Sequence, residues 1–192
     1  MIKSGQCDIN KQGSEGTTAL HIAAKKGDIG IVRLLLERED INVNCVHEDG
    51  DTALMVALAE KKYDVAKALM ARKNINIRTK NNLGFSLLHI AMLHERGEQS
   101  IVNALLVKGL NVNDKSNDGF TPLEIAITQG FKAGVEALLL HPHTKAGLSQ
   151  DRIKNHQLRA LRTNQHEIAK IFERLSGTKM MSAQEFLHTY KR

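Results

Sequence analysis

One short pattern recurs four times in this chain at an almost constant interval. It reads Gly-Thr-Thr-Ala-Leu-His-Ile-Ala-Ala from Gly16, and variants of it begin at Gly50, Gly84 and Gly119. The intervals are 34, 34 and 35 residues. A fixed period of this size is typical of repeat proteins, in which similar units stack and each contacts mainly its neighbours. The period therefore favours one stack of repeats over the one or two globular domains that 192 residues would otherwise allow.

The first unit begins with the features of a short helix closed by a turn. Thr18 can accept a hydrogen bond from one of the N–H groups left unpaired at a helix start. Leu20, Ala23 and Ala24 follow at the i, i+3, i+4 spacing of an apolar helix face. Gly27 then ends the predicted helix, because glycine readily adopts the left-handed conformation that closes helices.

A second helix and a loop complete the unit. Residues 31–36 are too apolar for a solvent face alone, which predicts a helix packed against its neighbours. Residues 40–44, Asp-Ile-Asn-Val-Asn, alternate as a short extended segment and lead into the polar turn before Gly50. The fourth unit repeats this plan with a sharper start, since Thr121 and Glu124 occupy the two positions of a capping box.

Together these features resemble the ankyrin repeat, whose signature runs Gly-x-Thr-Pro-Leu-His-x-Ala-Ala, a turn Gly, Val-x-x-Leu-Leu and Asp-Val-Asn. The resemblance covers roughly residues 8–140, and its fourfold recurrence makes it specific. It implies an all-α ankyrin-repeat solenoid of stacked antiparallel helix pairs with protruding hairpin loops.

The resemblance divides the chain into repeats and two ends. The N-terminal end resembles the closing part of a repeat, so we expect either a fragment of a longer protein or a stack that starts with a hairpin. Ser182 to Glu185 resemble a capping box that begins a short tail helix, either folded back or available to a partner. The predicted boundaries are 1–15 for a partial repeat, 16–49, 50–83, 84–118 and 119–151 for four repeats, 152–176 for a degenerate C-terminal capping repeat and 177–192 for the tail.

Two repeats depart from the family pattern. The second has Met55 in place of the signature His and Lys61 in place of the turn Gly. Lys61 must therefore adopt a backbone conformation that is unfavourable for a residue with a side chain, or this turn must differ from the glycine turn of the other repeats. The third has two extra residues within 94–99, between its helices, and we expect this longer turn to protrude.

The distribution of charge and the cysteine content indicate in which cellular compartment the protein is expected. Residues 1–140 carry 17 Lys/Arg and 17 Asp/Glu, whereas residues 141–192 carry 10 and 4, so the excess positive charge lies at the C-terminal end. Cys7 and Cys45 form no paired framework, which favours a reducing, intracellular setting. No apolar stretch approaches the ~20 residues of a membrane span. We expect a cytoplasmic protein, with the nucleus or, for a bacterial effector, a host cytosol as alternatives.

The motifs of common enzymes are missing from the sequence. It has no Gly-x-Gly-x-x-Gly, no phosphate-binding loop and no Gly-x-Ser-x-Gly. His141 and His143 are close in sequence but have no acidic or cysteine neighbour, which favours a loop over a metal site. The resemblance implies that His21 and His89 form structural hydrogen bonds between adjacent loops. We therefore expect no enzyme, no cofactor and no bound metal.

One set of asparagines is a candidate for modification. Asn10, Asn44 and Asn113 close the Ile-Asn or Val-Asn segments of their units. The resemblance implies that asparagine at this position can be hydroxylated by an oxygen-dependent enzyme. The alternative is a turn residue that only forms hydrogen bonds.

The resemblance also implies that partners contact the loop tips and the exposed side of each first helix. At these positions the last two repeats carry apolar side chains, and exposed apolar clusters often mark interaction sites. We predict that Leu83, Phe85, Leu93 and Phe120 form the centre of a partner site, with Phe85 and Phe120 side by side. The alternative is that these two rings only stiffen the loops. The predicted polar surroundings are Glu48, Asp49, Asp51, Asn82, His94 and Asp118.

Two functions of different classes follow. The first is a non-enzymatic, monomeric scaffold that binds a protein partner on loop tips and concave face, as part of a larger regulatory protein or as a host-directed bacterial effector. The second is binding of nucleic acid or another acidic surface by the basic C-terminal end. The scarcity of aromatic residues suited to base stacking disfavours the second. The basic residues concerned are Arg152, Lys154, Arg159, Arg162, Lys170 and Arg174.

Overall fold

The computed structural model describes residues 8–95, 97–146 and 148–177, and in them the chain is helical. This described part contains no β-strand, only one isolated bridge between Val46 and Thr52. The chain divides into two compact units, Met1–Ile90 and Ala91–Arg192. The helices are α1 (Ala19–Lys26), α2 (Ile29–Glu37), α3 (Ala53–Ala59), α4 (Tyr63–Met70), α5 (Leu87–Ala91), α6 (Gln99–Val107), α7 (Pro122–Gln129), α8 (Lys132–Leu140), α9 (Pro142–Ala146), α10 (Gln150–Arg162) and α11 (His166–Ser176).

Two layers of helices form the first unit. Helix α1 packs on α2, and α3 packs on α4. The two pairs then meet through α1 against α3 and α2 against α4. Leu20 and Leu54 fill the layer of first helices, and Val32 and Leu69 fill the layer of second helices, each at most 1% exposed. Because these side chains lie where neighbouring helix pairs meet, the core lies between successive repeats. Burying one such side chain stabilises the fold by about 1.5–3 kcal/mol.

The second unit follows the same plan. Helix α7 packs on α8, α10 packs on α11, and the pairs meet through α7 against α10 and α8 against α11. Ile168 and Phe172 of α11 are at most 1% exposed. Residues 152–176, which the sequence assigned to a capping repeat, thus lie on two helices that pack on each other and each bury one face, whereas the division into repeats stays a prediction. The predicted tail helix at 182–185 lies outside the described residues.

The helix starts expected from the sequence are present. Thr18 and Thr121 each accept a hydrogen bond from the backbone N–H three residues on, at 3.4 Å. Glu124 completes the capping box, since its carboxylate accepts from both the N–H and the hydroxyl of Thr121, each at 2.9 Å. Burial alone raises the pKa of Glu124, but these bonds and the nearby Arg159 guanidinium lower the pKa overall. The carboxylate is therefore held ionised at the helix start, where the helix dipole favours it.

Left-handed residues follow the helices α1, α3, α7 and α10 and close them. Gly27 and Gly130 do so with φ of 76°. Lys61 occupies the equivalent place with φ of 57°, and Asn164 with φ of 61°. The sequence left two outcomes open, a strained Lys61 or a different turn. The structure has the strained Lys61, and the turn has the same left-handed form as at Gly27.

The loop after α2 buries its alternate residues but does not form a strand. Ile41 and Val43 are 4% and 1% exposed, while Asn42 is exposed. The alternation expected for residues 40–44 is therefore present. The chain then turns at Val43 and Asn44 instead of pairing with a neighbour as a ladder.

Asparagine side chains join successive loops of the first unit. The Asn10 amide donates to the Asp40 carbonyl at 2.7 Å, and its side-chain oxygen accepts from the Asn42 N–H at 2.7 Å. Asn44 forms the same two bonds one repeat later, at 2.8 Å and 2.7 Å, to the Asn74 carbonyl and the Asn76 N–H. These bonds satisfy backbone groups in loops that have no strand partner.

The longer turn of the third repeat packs against a buried side chain at Gly97, near its C-terminal end. Helix α5 is only five residues long. A Cβ placed on Gly97 would come within 2.6 Å of the Phe131 ring, and Phe131 is 2% exposed. The sequence predicted a protruding turn, but at Gly97 the backbone lies against a buried ring. The apolar Phe131 provides the surface that keeps this part of the turn in place.

His21 anchors a loop through both of its ring nitrogens. Nδ1 accepts from the Thr18 N–H at 3.3 Å and from the Thr18 hydroxyl at 2.8 Å, so it carries no proton. Nε2 therefore donates to the Asp51 carbonyl in the next repeat, at 3.1 Å. Burial lowers the pKa of His21 from 6.5, with a further lowering by His47, while the Asp51 carbonyl opposes these effects. This neutral ring has the role that the family resemblance implied.

Replacing Lys61 by glycine is expected to stabilise the protein by about 1 kcal/mol, because a left-handed conformation costs roughly 1–2 kcal/mol for a residue with a side chain. Part of this gain is offset by the greater entropy of glycine in the unfolded chain. Chemical denaturation, read as the change in the unfolding midpoint, measures the effect. Asn164→Gly is the matched control and should gain less, since asparagine tolerates this conformation. A loss of stability in Lys61→Gly contradicts the assignment.

Acid is expected to weaken the fold through His21. Its folded pKa lies below its unfolded value of about 6.5, so the unfolded chain takes up the proton first. The stabilisation is complete above this value and is lost as the pH falls below it. Urea unfolding between about pH 7.5 and about pH 5.5 measures the slope.

His21→Met copies the residue that the second repeat carries at this position. It should cost about 1 kcal/mol near neutral pH, the net worth of a hydrogen bond, and should reduce the acid sensitivity. Part of the sensitivity should stay, because burial also lowers the pKa of His156. An unchanged pH slope in the variant contradicts the role given to His21.

Candidate functional site

A groove opens in the first unit beside the loop tips and the exposed sides of α1 and α3. Its volume is about 290 Å³. Eight of its lining residues occupy loop-tip and first-helix positions at which the resemblance implied partner contact. The lining residues are Glu15, Thr17, His21, Ile22, Lys25, Lys26, His47, Asp49, Asp51, Val56, Ala59 and Glu60.

The middle of the groove is apolar. Ile22 of α1 is 48% exposed, while Val56 of α3 is 9% exposed. The residues at the same position in the next two first helices, Ile90 and Ile125, are 3% and 7% exposed. Ile22 is thus a core-type side chain left half uncovered in the groove. Covering such a side chain with a partner is favourable, because it removes apolar surface from water.

The loop end of the groove carries three carboxylates, those of Glu15, Asp49 and Asp51. The Asp51 carboxylate accepts from the Asn81 amide at 2.8 Å, which fixes its position. The Asp49 N–H donates to Nδ1 of His47 at 3.0 Å, so this ring nitrogen carries no proton. The loop end therefore gathers three carboxylates, with the His47 ring beside two of them.

The helix end of the groove has charges of both signs. Lys25 and Lys26 lie in the last turn of α1, where cations are favoured by the helix dipole. Glu60 follows α3 as its C-cap residue. All three are exposed.

Backbone bonds hold the loop tips of the first unit in register. The Glu48 N–H donates to the Glu15 carbonyl at 2.8 Å. The Asn82 N–H donates to the Asp49 carbonyl at 2.9 Å, and the Asn82 amide donates to the Glu48 carbonyl at 2.7 Å. Glu48, Asp49 and Asn82 therefore lie together on consecutive loop tips, and their role in partner contact stays a prediction.

The four apolar residues of the predicted centre differ in environment. In the first unit, Leu83 is 61% exposed, whereas the half-buried Phe85 stacks on His89 with centroids 5.5 Å apart. In the second unit, Leu93 is half-buried, and the Arg159 guanidinium lies 5.2 Å from the Phe120 ring centroid. The grouping of all four into one centre stays a prediction. His94 is half-buried and Asp118 is exposed, both in the second unit.

Sequence reasoning missed Ile22 and His47 as groove residues. Ile22 follows the signature His and carries the apolar residue type that the other repeats bury at this position. Its sequence context alone therefore indicated core. His47 lies in a polar turn, and only the fold brings its ring to 5.5 Å from the His21 ring.

Part of the basic C-terminal end is already engaged within the second unit. Arg159 lies 3.5 Å from the Glu124 carboxylate and also over the Phe120 ring. Lys170 contacts Glu167 at 2.7 Å. These contacts reduce the field that the sequence assigned to this end, and none of them favours a nucleic-acid site.

The candidate modification and metal positions have structural neighbours. Asn44 forms the loop-to-loop bonds given above, and the Asn113 amide donates to the His143 carbonyl at 3.3 Å. Hydroxylation of either residue stays a prediction. The rings of His141 and His143 are 5.5 Å apart. Within the described ranges, no group of three or more His, Cys, Asp or Glu is arranged to hold a metal ion.

Comparison with known proteins agrees with this geometry. A family model described as ankyrin repeats (three copies) matches residues 1–81 and 71–150. A search of curated proteins finds no match. Every helix in the described part is too short or too polar to cross a membrane. Ankyrin repeats generally act as protein–protein interaction modules and are typically non-enzymatic. This chain belongs to the ankyrin repeat family.

Proposed function

We propose that this chain docks a protein partner and that the groove of the first unit is the docking surface. The observation that supports this proposal is the exposure of Ile22 in a groove of about 290 Å³ with polar ends. An apolar centre with a polar rim is the usual composition of a protein interface. The groove lies at the loop tips and first-helix sides, where a partner of an ankyrin stack is expected.

The rigidity of the surface favours this function further. The loop tips are joined by backbone and amide bonds between repeats, from Glu15 through Glu48 to Asn82. A surface that is ordered in advance loses less entropy when a partner binds. Catalysis would require a nucleophile or a proton-transfer pair aimed at a reacting atom. In the groove, the Nδ1 atoms of His21 and His47 instead accept structural hydrogen bonds from backbone N–H groups.

Ile22→Glu is expected to weaken partner capture at least about tenfold, which corresponds to about 1.4 kcal/mol. The reason is that a carboxylate replaces the apolar surface at the centre of the groove. The measurement is quantitative mass spectrometry of proteins retained from a lysate of the source cells by immobilised wild type and variant.

The matched control is Leu34→Glu, which makes the same exchange at a 64% exposed side chain of α2 outside the groove. Proteins lost with Ile22→Glu but kept with Leu34→Glu identify the partner of the groove. Equal retention by both variants contradicts the proposed docking surface.

The apolar loop residues provide a separate test of the predicted centre. Leu83→Ala should lower the affinity for a captured partner by about 1–2 kcal/mol without changing the unfolding midpoint, because Leu83 is 61% exposed. The double variant Phe85→Ala with Phe120→Ala should cost more than about 2 kcal/mol of affinity. It should also lower stability, because each ring packs within its own unit. Unchanged affinity in both the single and the double variant contradicts the predicted centre.

A further inference from the structure

We infer that the partner occupies this groove with a short extended segment that carries an aliphatic side chain and, about two residues away, a lysine or arginine. This inference rests on the proposed docking function and concerns the chemistry of the partner. The aliphatic side chain covers Ile22, and the basic side chain reaches the loop end.

The charge of the loop end selects a cation. Glu15, Asp49 and Asp51 line it, and the exposed Glu48 lies next to Asp49 on the same loop tip. The two lysines among the lining residues lie on the last turn of α1, at the other end of the groove. An acidic or phosphorylated segment would bring like charges together there, which disfavours nucleic acid as well.

The Asp49 carboxylate is exposed to a partner, and the Asp51 carboxylate lies fixed behind it. The Asp49 side chain is 88% exposed, and its carboxylate is 3.9 Å from His47 Nδ1. That nitrogen accepts the Asp49 N–H, so it brings no proton to neutralise the carboxylate. Asp51 is 23% exposed; one of its carboxylate oxygens is bound to Asn81 and the other lies 3.7 Å from His47 Nε2, so the carboxylate is held in place at the base of the groove.

The spacing follows from helix geometry. The loop that carries Glu15 leads through Thr17, another lining residue of the groove, to Thr18, the cap of α1, and Ile22 lies four residues beyond Thr18. A rise of about 1.5 Å per residue places them roughly 6 Å apart along the helix axis. An extended segment covers about 3.3 Å per residue, so about two residues separate its basic and aliphatic side chains.

The two contacts have different roles. Burial of the aliphatic side chain against Ile22 and Val56 supplies most of the affinity, since it removes apolar surface from water. The exposed carboxylates contribute little to affinity, because solvent screens them. They instead speed association and discriminate against acidic segments.

Selection from a displayed library of short random peptides tests the inference directly. On the wild-type chain, enriched peptides should pair Lys or Arg with Leu, Ile, Val or Met about two residues away. On the double variant Glu15→Lys with Asp49→Lys, enrichment should lose the basic residue and keep the aliphatic one. A synthetic peptide from the first selection should bind the double variant about tenfold more weakly by fluorescence anisotropy, which corresponds to about 1.4 kcal/mol.

The matched control is Glu37→Lys with Glu39→Lys, which changes the net charge equally at two exposed residues outside the groove. It should bind the synthetic peptide like wild type. Enrichment of acidic or purely apolar peptides, equal loss of binding in the control, or no enrichment at all overturns the inference. If Ile22→Glu still abolishes protein capture in that case, the docking function stands and only the chemistry assigned to the partner fails.

Discussion

The structure depends on apolar contact between successive repeats. The helices α1 to α4 are only 7 to 9 residues long, and isolated helices below about 12–15 residues are marginal in water. Val32 and Leu69 are fully buried only because α2 and α4 pack on each other. The repeats therefore stabilise one another, and a single repeat has no core of its own.

Stacking brings loops together, and polar side chains then fix the distance between them. His21 reaches the Asp51 carbonyl of the next repeat, and Asn44 reaches the Asn74 and Asn76 backbone. These bonds replace the strand ladder that the loops lack, so each loop takes its position from its neighbour. A row of loop tips in fixed register results, although the described loops contain no β-strand.

The groove is a consequence of the same packing. Small residues such as Ala23 and Ala24 face inward on α1, which leaves Ile22 on the side that faces the groove. The loop tips add carboxylates at one end, and the last turn of α1 adds lysines at the other. The proposed docking function depends on this combination of a half-exposed Ile22 and two ends of different charge.

The sequence by itself determined the repeat, the helix starts at Thr18 and Thr121, and the left-handed turns at Gly27 and Gly130, because short-range sterics and capping bonds fix these features. The family resemblance implied partner contact at the loop tips and first helices, and this stays a prediction. Tertiary structure alone decided that Ile22 is half exposed while Ile90 is buried, since both have the same local sequence pattern. It likewise decided that Phe85 stacks on His89 and that the end of the inserted turn lies against Phe131. The exposure and the ring contacts of a side chain depend on which residues distant in sequence lie beside it. The local periodicity of the sequence does not contain this information.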